Sequence, residues 1–130
     1  MADKEKILLI DNDTNFLNTT KVYLEQNGYA IIVAHSSKQA LDKAQFEQPA
    51  LIVVELMLEK HDTGFSIAKR VKANPSLNGT KILMVSSAKE KTGTEFTQQL
   101  DGYWMKTDDY IDKPVTQEDL LSRIQALLKK

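Results

Sequence analysis

The residues of this chain best suited to chemistry stand at the ends of apolar runs. Leu51 to Glu55 reads LIVVE, four aliphatic positions without alternation closed by a carboxylate. Such a run marks a strand covered on both faces, and strands of that kind belong in the middle of a parallel sheet. Lys6 to Asp11 reads KILLID and continues into Asn12 and Asp13, while Lys81 to Val85 reads KILMV and continues into Ser86 and Ser87. In an open α/β sheet the ligand crevice lies beyond the carboxyl ends of the strands. Parallel pairing of these runs gathers Asp11, Asp13, Glu55 and the Ser86 hydroxyl at one edge. Carboxylates gathered in this way can act as nucleophiles or hold a hard cation.

The elements that must position them alternate in period. Thr14 to Asn27 carries Phe16, Leu17, Tyr23 and Leu24 at helical spacing, and Gly28 stands where a left-handed cap would end a helix. Tyr29 to Ala34 reads as a second buried strand. Ser36 or Ser37 can then cap a helix through Ala40, Leu41, Ala44 and Phe46 that stops at Pro49. After Glu55, Leu56 to Gly64 is a loop, and Phe65 to Ala73 is a helix with Phe65, Ala68 and Val71 or Lys72 on one face. Asn74 and Pro75 break it.

Ser86 to Thr107 is the least patterned stretch. Phe96, Leu100 and Tyr103 recur at helical spacing and predict a helix between Thr94 and Trp104, against the breaking tendency of Gly93 and Gly102. Tyr103 and Trp104 read as core aromatics near its end. Tyr110 and Ile111 form a short fifth strand running into Asp112, Lys113 and Pro114. Thr116 caps a last helix with Asp119 at the capping-box position and a stripe of Leu120, Ile124, Leu127 and Leu128. Five strands alternating with five helices predict one α/β domain over residues 1–130, a doubly wound parallel sheet with helices on both faces.

Composition narrows the function. A chain of 130 residues buries about 68% of its unfolded surface and needs no staple. The balance of 17 basic against 18 acidic residues makes no field for nucleic acid or an anionic membrane, so neither is expected as a partner. Absence of cysteine excludes disulfides and thiolate metal sites. The start, MADKEK, has no apolar signal region, and no run approaches a membrane span; a cytoplasmic location is expected.

KILLIDND, LIVVELML, ILMVSSA and DDYIDKPV together resemble the receiver domain of bacterial two-component response regulators, over nearly the whole chain. The resemblance implies a flavodoxin-like (βα)5 fold that acts by protein contact and is not an enzyme. It also implies an acid pair after the first strand that holds Mg²⁺, and an aspartate after the third that takes a phosphoryl group from a histidine kinase. Position by position, Asp11 matches the first acid, Ser86 the switch hydroxyl, Lys113 the lysine before proline, and Tyr110 the aromatic that turns inward when the hydroxyl moves. The implied partners are a histidine kinase or phosphotransfer protein and an output protein on the face of the fourth helix, fifth strand and fifth helix, about Thr94 to Leu128. A homodimer is compatible with this.

The departures fall on the chemistry. Asn12 stands where the second metal-contacting acid belongs, and Glu55 stands at the phosphoacceptor position in place of aspartate. Glu59 stands where the family usually has Pro, and the Ser86 to Lys113 stretch is longer than usual. Glutamate is a competent nucleophile, but its extra methylene moves the attacking oxygen by about 1 Å, which can cost on the order of a hundredfold. Asn12 removes one charge from a hard-cation site, so Mg²⁺ binding at Asp11, Asn12, Asp13 and Glu55 is expected to be weakened. A phosphoryl group needs its oxygens neutralised by cations. Glu55 reaches farther than aspartate, towards Lys113 and the Ser86 hydroxyl, and can therefore mimic the phosphorylated state. Phosphorylation is accordingly expected to be lost, weakened or mimicked.

Plainer roles compete. Asp11 and Asp13 can be turn residues satisfying backbone N–H groups, Ser86 a cap, Lys113 a solvated lysine and Tyr110 an ordinary strand aromatic. His35 and His61 lack ligand spacing and read as solvated loop residues. The rival from another class is a small Mg²⁺-dependent phosphatase resembling the haloacid dehalogenases, with IDNDT supplying Asp11 as nucleophile and Asp13 as general acid/base. Ser86, Lys113, Asp108 and Asp109 would complete it, but their order and the chain length disagree with that family. A binder of FMN fails because no phosphate cradle follows the first strand, so no organic cofactor is expected.

Overall fold

The computed structural model of the protein describes residues 4–92 and 107–129. Five strands, β1 (Lys6–Ile10), β2 (Ala30–Ala34), β3 (Leu51–Val54), β4 (Lys81–Ser86) and β5 (Asp109–Asp112), form one sheet in the order β2-β1-β3-β4-β5. All four pairings are parallel. The helices are α1 (Thr14–Gln26), α2 (Ser37–Glu47), α3 (Thr63–Ala73), α4 (Ala88–Thr92) and α5 (Gln117–Leu128), with a 3₁₀ turn at Pro75–Leu77. The predicted helix between Thr94 and Trp104 lies outside the described residues.

Side-chain alternation along the strands explains why helices must cover both faces. Leu8, Ile10, Ile52, Val54, Ile82 and Met84 pack under α2 and α3 with Ala40, Ala44, Ile67, Ala68 and Val71. Ile7, Leu9, Leu51, Val53, Leu83 and Val85 face the other way and pack with Leu17, Leu24, Leu120 and Ile124 of α1 and α5. Every residue of β3 is buried, as the unbroken apolar run predicts for a central strand. β2 differs from its expected burial: it is an edge strand, and only Ala34 is fully covered.

Local chemistry sets the boundaries. Asp13 accepts from the Phe16 N–H, Ser36 from the Gln39 N–H and Thr116 from the Asp119 N–H, so each opens a helix. Gly28 takes the left-handed conformation, φ 95°, just beyond α1. Phe46 does not join the buried stripe of α2; it is 84% exposed. It lies two residues past Ala44, a rotation of about 200° from the inward face, and the helix ends before another turn.

α3 begins at Thr63, two residues before the expected Phe65, because its first turn lies directly on the end of β3. The Gly64 N–H donates to the Leu56 carbonyl at 2.8 Å. A β-carbon at Gly64 would stand 2.6 Å from both the Glu55 carbonyl oxygen and Leu56 Cα. Glycine at this position lets α3 press against the backbone that carries Glu55. Gly64→Ala is therefore expected to lower stability by about 1–3 kcal/mol. Gly79→Ala, whose β-carbon would meet nothing within 4 Å, should stay within about 0.5 kcal/mol of the parent. Urea denaturation of both variants checks this.

Candidate functional site

The carboxyl ends of β1, β3 and β4 and the loop after β5 converge. Asp11 leaves β1 with its N–H on the Ala34 carbonyl, and Glu55 leaves β3 with its N–H on the Ile10 carbonyl. Both acids are 2% exposed. Lys113 arrives from the other side of β4, held by its N–H on the Ser86 carbonyl at 2.7 Å and followed by a cis peptide to Pro114. Its ammonium donates to Asp11 Oδ2 at 2.8 Å and lies 3.3 Å from Glu55 Oε1.

Glu55 is held from three directions. Oε2 accepts the Met57 N–H at 2.9 Å, both carboxylate oxygens accept the Ser87 N–H at 3.1 Å, and Oε1 faces Lys113. Asp11 uses its second oxygen, Oδ1, to accept the Asp13 N–H at 2.9 Å. Burial raises the Asp11 pKa, and the hydrogen bond and charge of Lys113 oppose this without reversing it. Burial pulls Lys113 down, but Asp11 and then Glu55 more than reverse it, leaving the ammonium firmly protonated.

The structure joins the side chains of Asp11, Glu55 and Lys113 directly and gives the other predicted residues different side-chain partners or exposure. Asn12 is exposed, and Asp13 is an α1 cap whose Oδ1 accepts the Phe16 N–H at 3.2 Å. The sequence places the Ser86 hydroxyl towards Glu55, and the structure differs. The hydroxyl accepts the Ala88 N–H at 3.0 Å, and the donor to Glu55 is the backbone of Ser87, one residue along. Ser86 is the last residue of β4, opposite Asp112 on β5, which turns its side chain to the face carrying Tyr110. Tyr110 is buried at 8% exposure. Burial pushes its phenol far above the usual range; hydrogen bonding with Ser86 opposes this, and Asp112 and Glu55 add to it.

Backbone donors such as Met57 and Ser87 carry no side-chain signal, so residue types alone could not reveal them. Glu59 was equally hidden: Oε2 accepts both the N–H and the hydroxyl of Ser37 at 2.9 Å, tying the loop after β3 to the start of α2. The Ser37 N–H holds its carboxyl below the usual value. His35 and His61 are exposed, as expected.

The phosphatase arrangement does not form. Asp108 accepts from Ile82 N–H at 2.7 Å and Lys72 at 2.8 Å, at the amino end of β4, the opposite end from Glu55. Asp109 pairs with Arg123. Clefts of about 530 and 360 Å³ run between α2 and α3, and neither is lined by Asp11, Glu55 or Lys113.

The donor set fits a divalent cation poorly. Among the described residues no three His, Cys, Asp or Glu side chains are grouped to hold a metal ion. Asn12 contributes no charge, Asp13 spends one carboxylate oxygen on its helix cap, and an ammonium bridges the two remaining carboxylates.

Residues 7–125 match the family described as Response regulator receiver domain, and the chain belongs to that family. It is 32% identical over 126 residues to the alkaline phosphatase synthesis transcriptional regulatory protein PhoP of Bacillus subtilis, covering 97% of this chain and 49% of that protein. It is 31% identical to the transcriptional regulatory protein CpxR of Escherichia coli, covering 96% of this chain and 50% of that one. The chain thus spans about half the length of these relatives. A CheY-like receiver domain protein from Methanospirillum hungatei superposes with a TM-score of 0.83 at 27% identity, covering 97% of this chain and 94% of that one. The chemotaxis response regulator CheY4 of Vibrio cholerae shares the fold, with a TM-score of 0.82 at 24% identity over 96% of this chain and 99% of its own. This is a receiver domain of two-component signalling. Among the described residues no helix is long and apolar enough to cross a membrane.

Removing the ammonium leaves two buried carboxylates facing each other. Lys113→Met is expected to cost about 3 kcal/mol at neutral pH. The Lys113 pKa is raised on folding, so its contribution is complete below the ordinary value of 10.5 and is lost as pH rises through the higher folded value. Urea denaturation from pH 7 upwards should show the difference between parent and variant narrowing only beyond that point.

Proposed function

We propose that this receiver carries Glu55 as a built-in occupant of the phosphoryl pocket, so that it signals from a fixed state through protein contacts. The observation that carries this reading is the environment of the Glu55 carboxylate, which takes the Met57 and Ser87 N–H groups and the Lys113 ammonium at once. Phosphoryl transfer depends on donors and cations placed around the equatorial oxygens. Here those groups are already engaged by a side chain of the protein itself. The imitation is incomplete, because one carboxylate charge replaces the roughly −1.5 to −2 of a phosphoryl group.

Two further features support the reading. Mg²⁺ binding is weakened because Asn12 and Asp13 do not add carboxylate oxygens to Asp11 and Glu55. Tyr110 lies buried beside Ser86, the inward position that the family resemblance links to the switched state. The output contact is assigned to the stretch from about Thr94 to Leu128, which carries β5 and α5. Reaction of the nucleophile is disfavoured because the Glu55 oxygens that would attack phosphorus are hydrogen-bonded and buried.

Intact-mass measurement after incubation with Mg²⁺ and acetyl phosphate tests this. The parent should gain no phosphoryl mass, while the Asn12→Asp, Glu55→Asp double variant should gain one. A phosphoryl adduct on the parent that Glu55→Gln abolishes would overturn the proposal and make Glu55 a working acceptor.

A further inference from the structure

The Lys113 ammonium has a third neighbour besides Asp11 and Glu55. The ring centroid of Phe16 lies 4.2 Å from Nζ, within the range in which the negative face of an aromatic ring attracts a cation. Phe16 stands in the first turn of α1, which Asp13 caps through the Phe16 N–H itself. Its side chain is half-buried and packs on the apolar cluster beneath α1 and α5. The ring is therefore fixed by a hydrogen-bonded cap on one side and by core contacts on the other.

Helical spacing makes Phe16 read as an ordinary core residue, but a core role alone leaves the ring face against an ammonium unexplained. The Lys113 side chain is only 11% exposed, compared with 48% for Lys6 and 43% for Lys21. The two carboxylates occupy one side of its ammonium, and the ring covers another. A long, flexible lysine stem needs such constraints to stay on one geometry.

We propose that Phe16 is a positioning residue for Lys113: its ring face holds the ammonium against Asp11 and Glu55 and closes that side of the acid pocket to water and small reagents. The chemistry required at position 16 is an aromatic face, and volume alone does not satisfy it. Phe16 in this role also links the start of α1 to the loop after β5 through the lysine.

Competitive amine labelling read by peptide mass spectrometry tests the inference on the intact chain, with Lys6 and Lys21 as internal references. Lys113 in the parent should label at least about tenfold more slowly than Lys6, as befits a paired and covered ammonium. Phe16→Ala and Phe16→Leu should each speed Lys113 several-fold with Lys6 unchanged, and Phe16→Trp should stay within about twofold of the parent. Leucine fills most of the space without a π face, so protection by leucine equal to phenylalanine would overturn the proposal, as would an unchanged rate in Phe16→Ala. If the alanine variant unfolds, all its lysines label alike, and the leucine and tryptophan variants decide. A second readout is the upfield ring-current shift of the Lys113 side-chain protons, expected in the parent and absent in Phe16→Leu. These measurements report Lys113 alone, whereas phosphoryl mass reports Glu55, so either proposal can fail without the other.

Discussion

The buried contact of Lys113 with Asp11 and Glu55 is the interaction on which the working end of this molecule depends. Three segments far apart in sequence, after β1, β3 and β5, are tied together by one ammonium. Taking such charges from water is costly, and the cost is offset only where the remaining lone pairs are also satisfied. Here the Asp13 N–H completes Asp11, and the Met57 and Ser87 N–H groups complete Glu55. One negative charge is left uncompensated among the three groups. The raised pKa of Asp11 reflects that burial, and the raised pKa of Lys113 reflects the two acids that share it.

The sheet supplies the rigidity this triad requires. β3 is buried on both faces and its end cannot move without disturbing both cores. The approach of α3 at Gly64 brings a second element against the Glu55 backbone. Glu59 then connects the same loop to α2 through Ser37. A carboxylate held in this way has a defined position before any partner or donor arrives.

The two ends of the sheet also divide the acids by task. Asp11 and Glu55 lie at the carboxyl ends and share the lysine, while Asp108 lies at the amino end of β4, where it receives Lys72 and a backbone N–H. This division separates the receiver from the phosphatase, since residue types alone satisfy both. Family membership agrees with the geometry: the match spans residues 7–125, and the fold is that of other receivers.

Much of this was legible in the amino-acid sequence. Unalternated runs such as LIVV specify strands covered on both faces, their period against that of the helices specifies the doubly wound sheet, and their terminal residues specify which edge holds the chemistry. Asp11 and Glu55 follow from that argument because side chains at strand ends are placed by topology, and Lys113 follows from the resemblance to the receiver family. Other features were decided only in three dimensions. Whether β2 is central or at the edge depends on pairing order, which hydrophobicity does not encode. Phe46 is outward because it lies about 200° round its helix from the buried Ala44. The Met57 and Ser87 donors belong to the backbone, which is the same at every residue. The exchange of Ser86 for Ser87 at Glu55 turns on which of two adjacent groups a strand end points inward. Sequence specifies residue type and period, both local properties; which atom meets which across the sheet edge is a non-local property, and only packing of the whole chain resolves it.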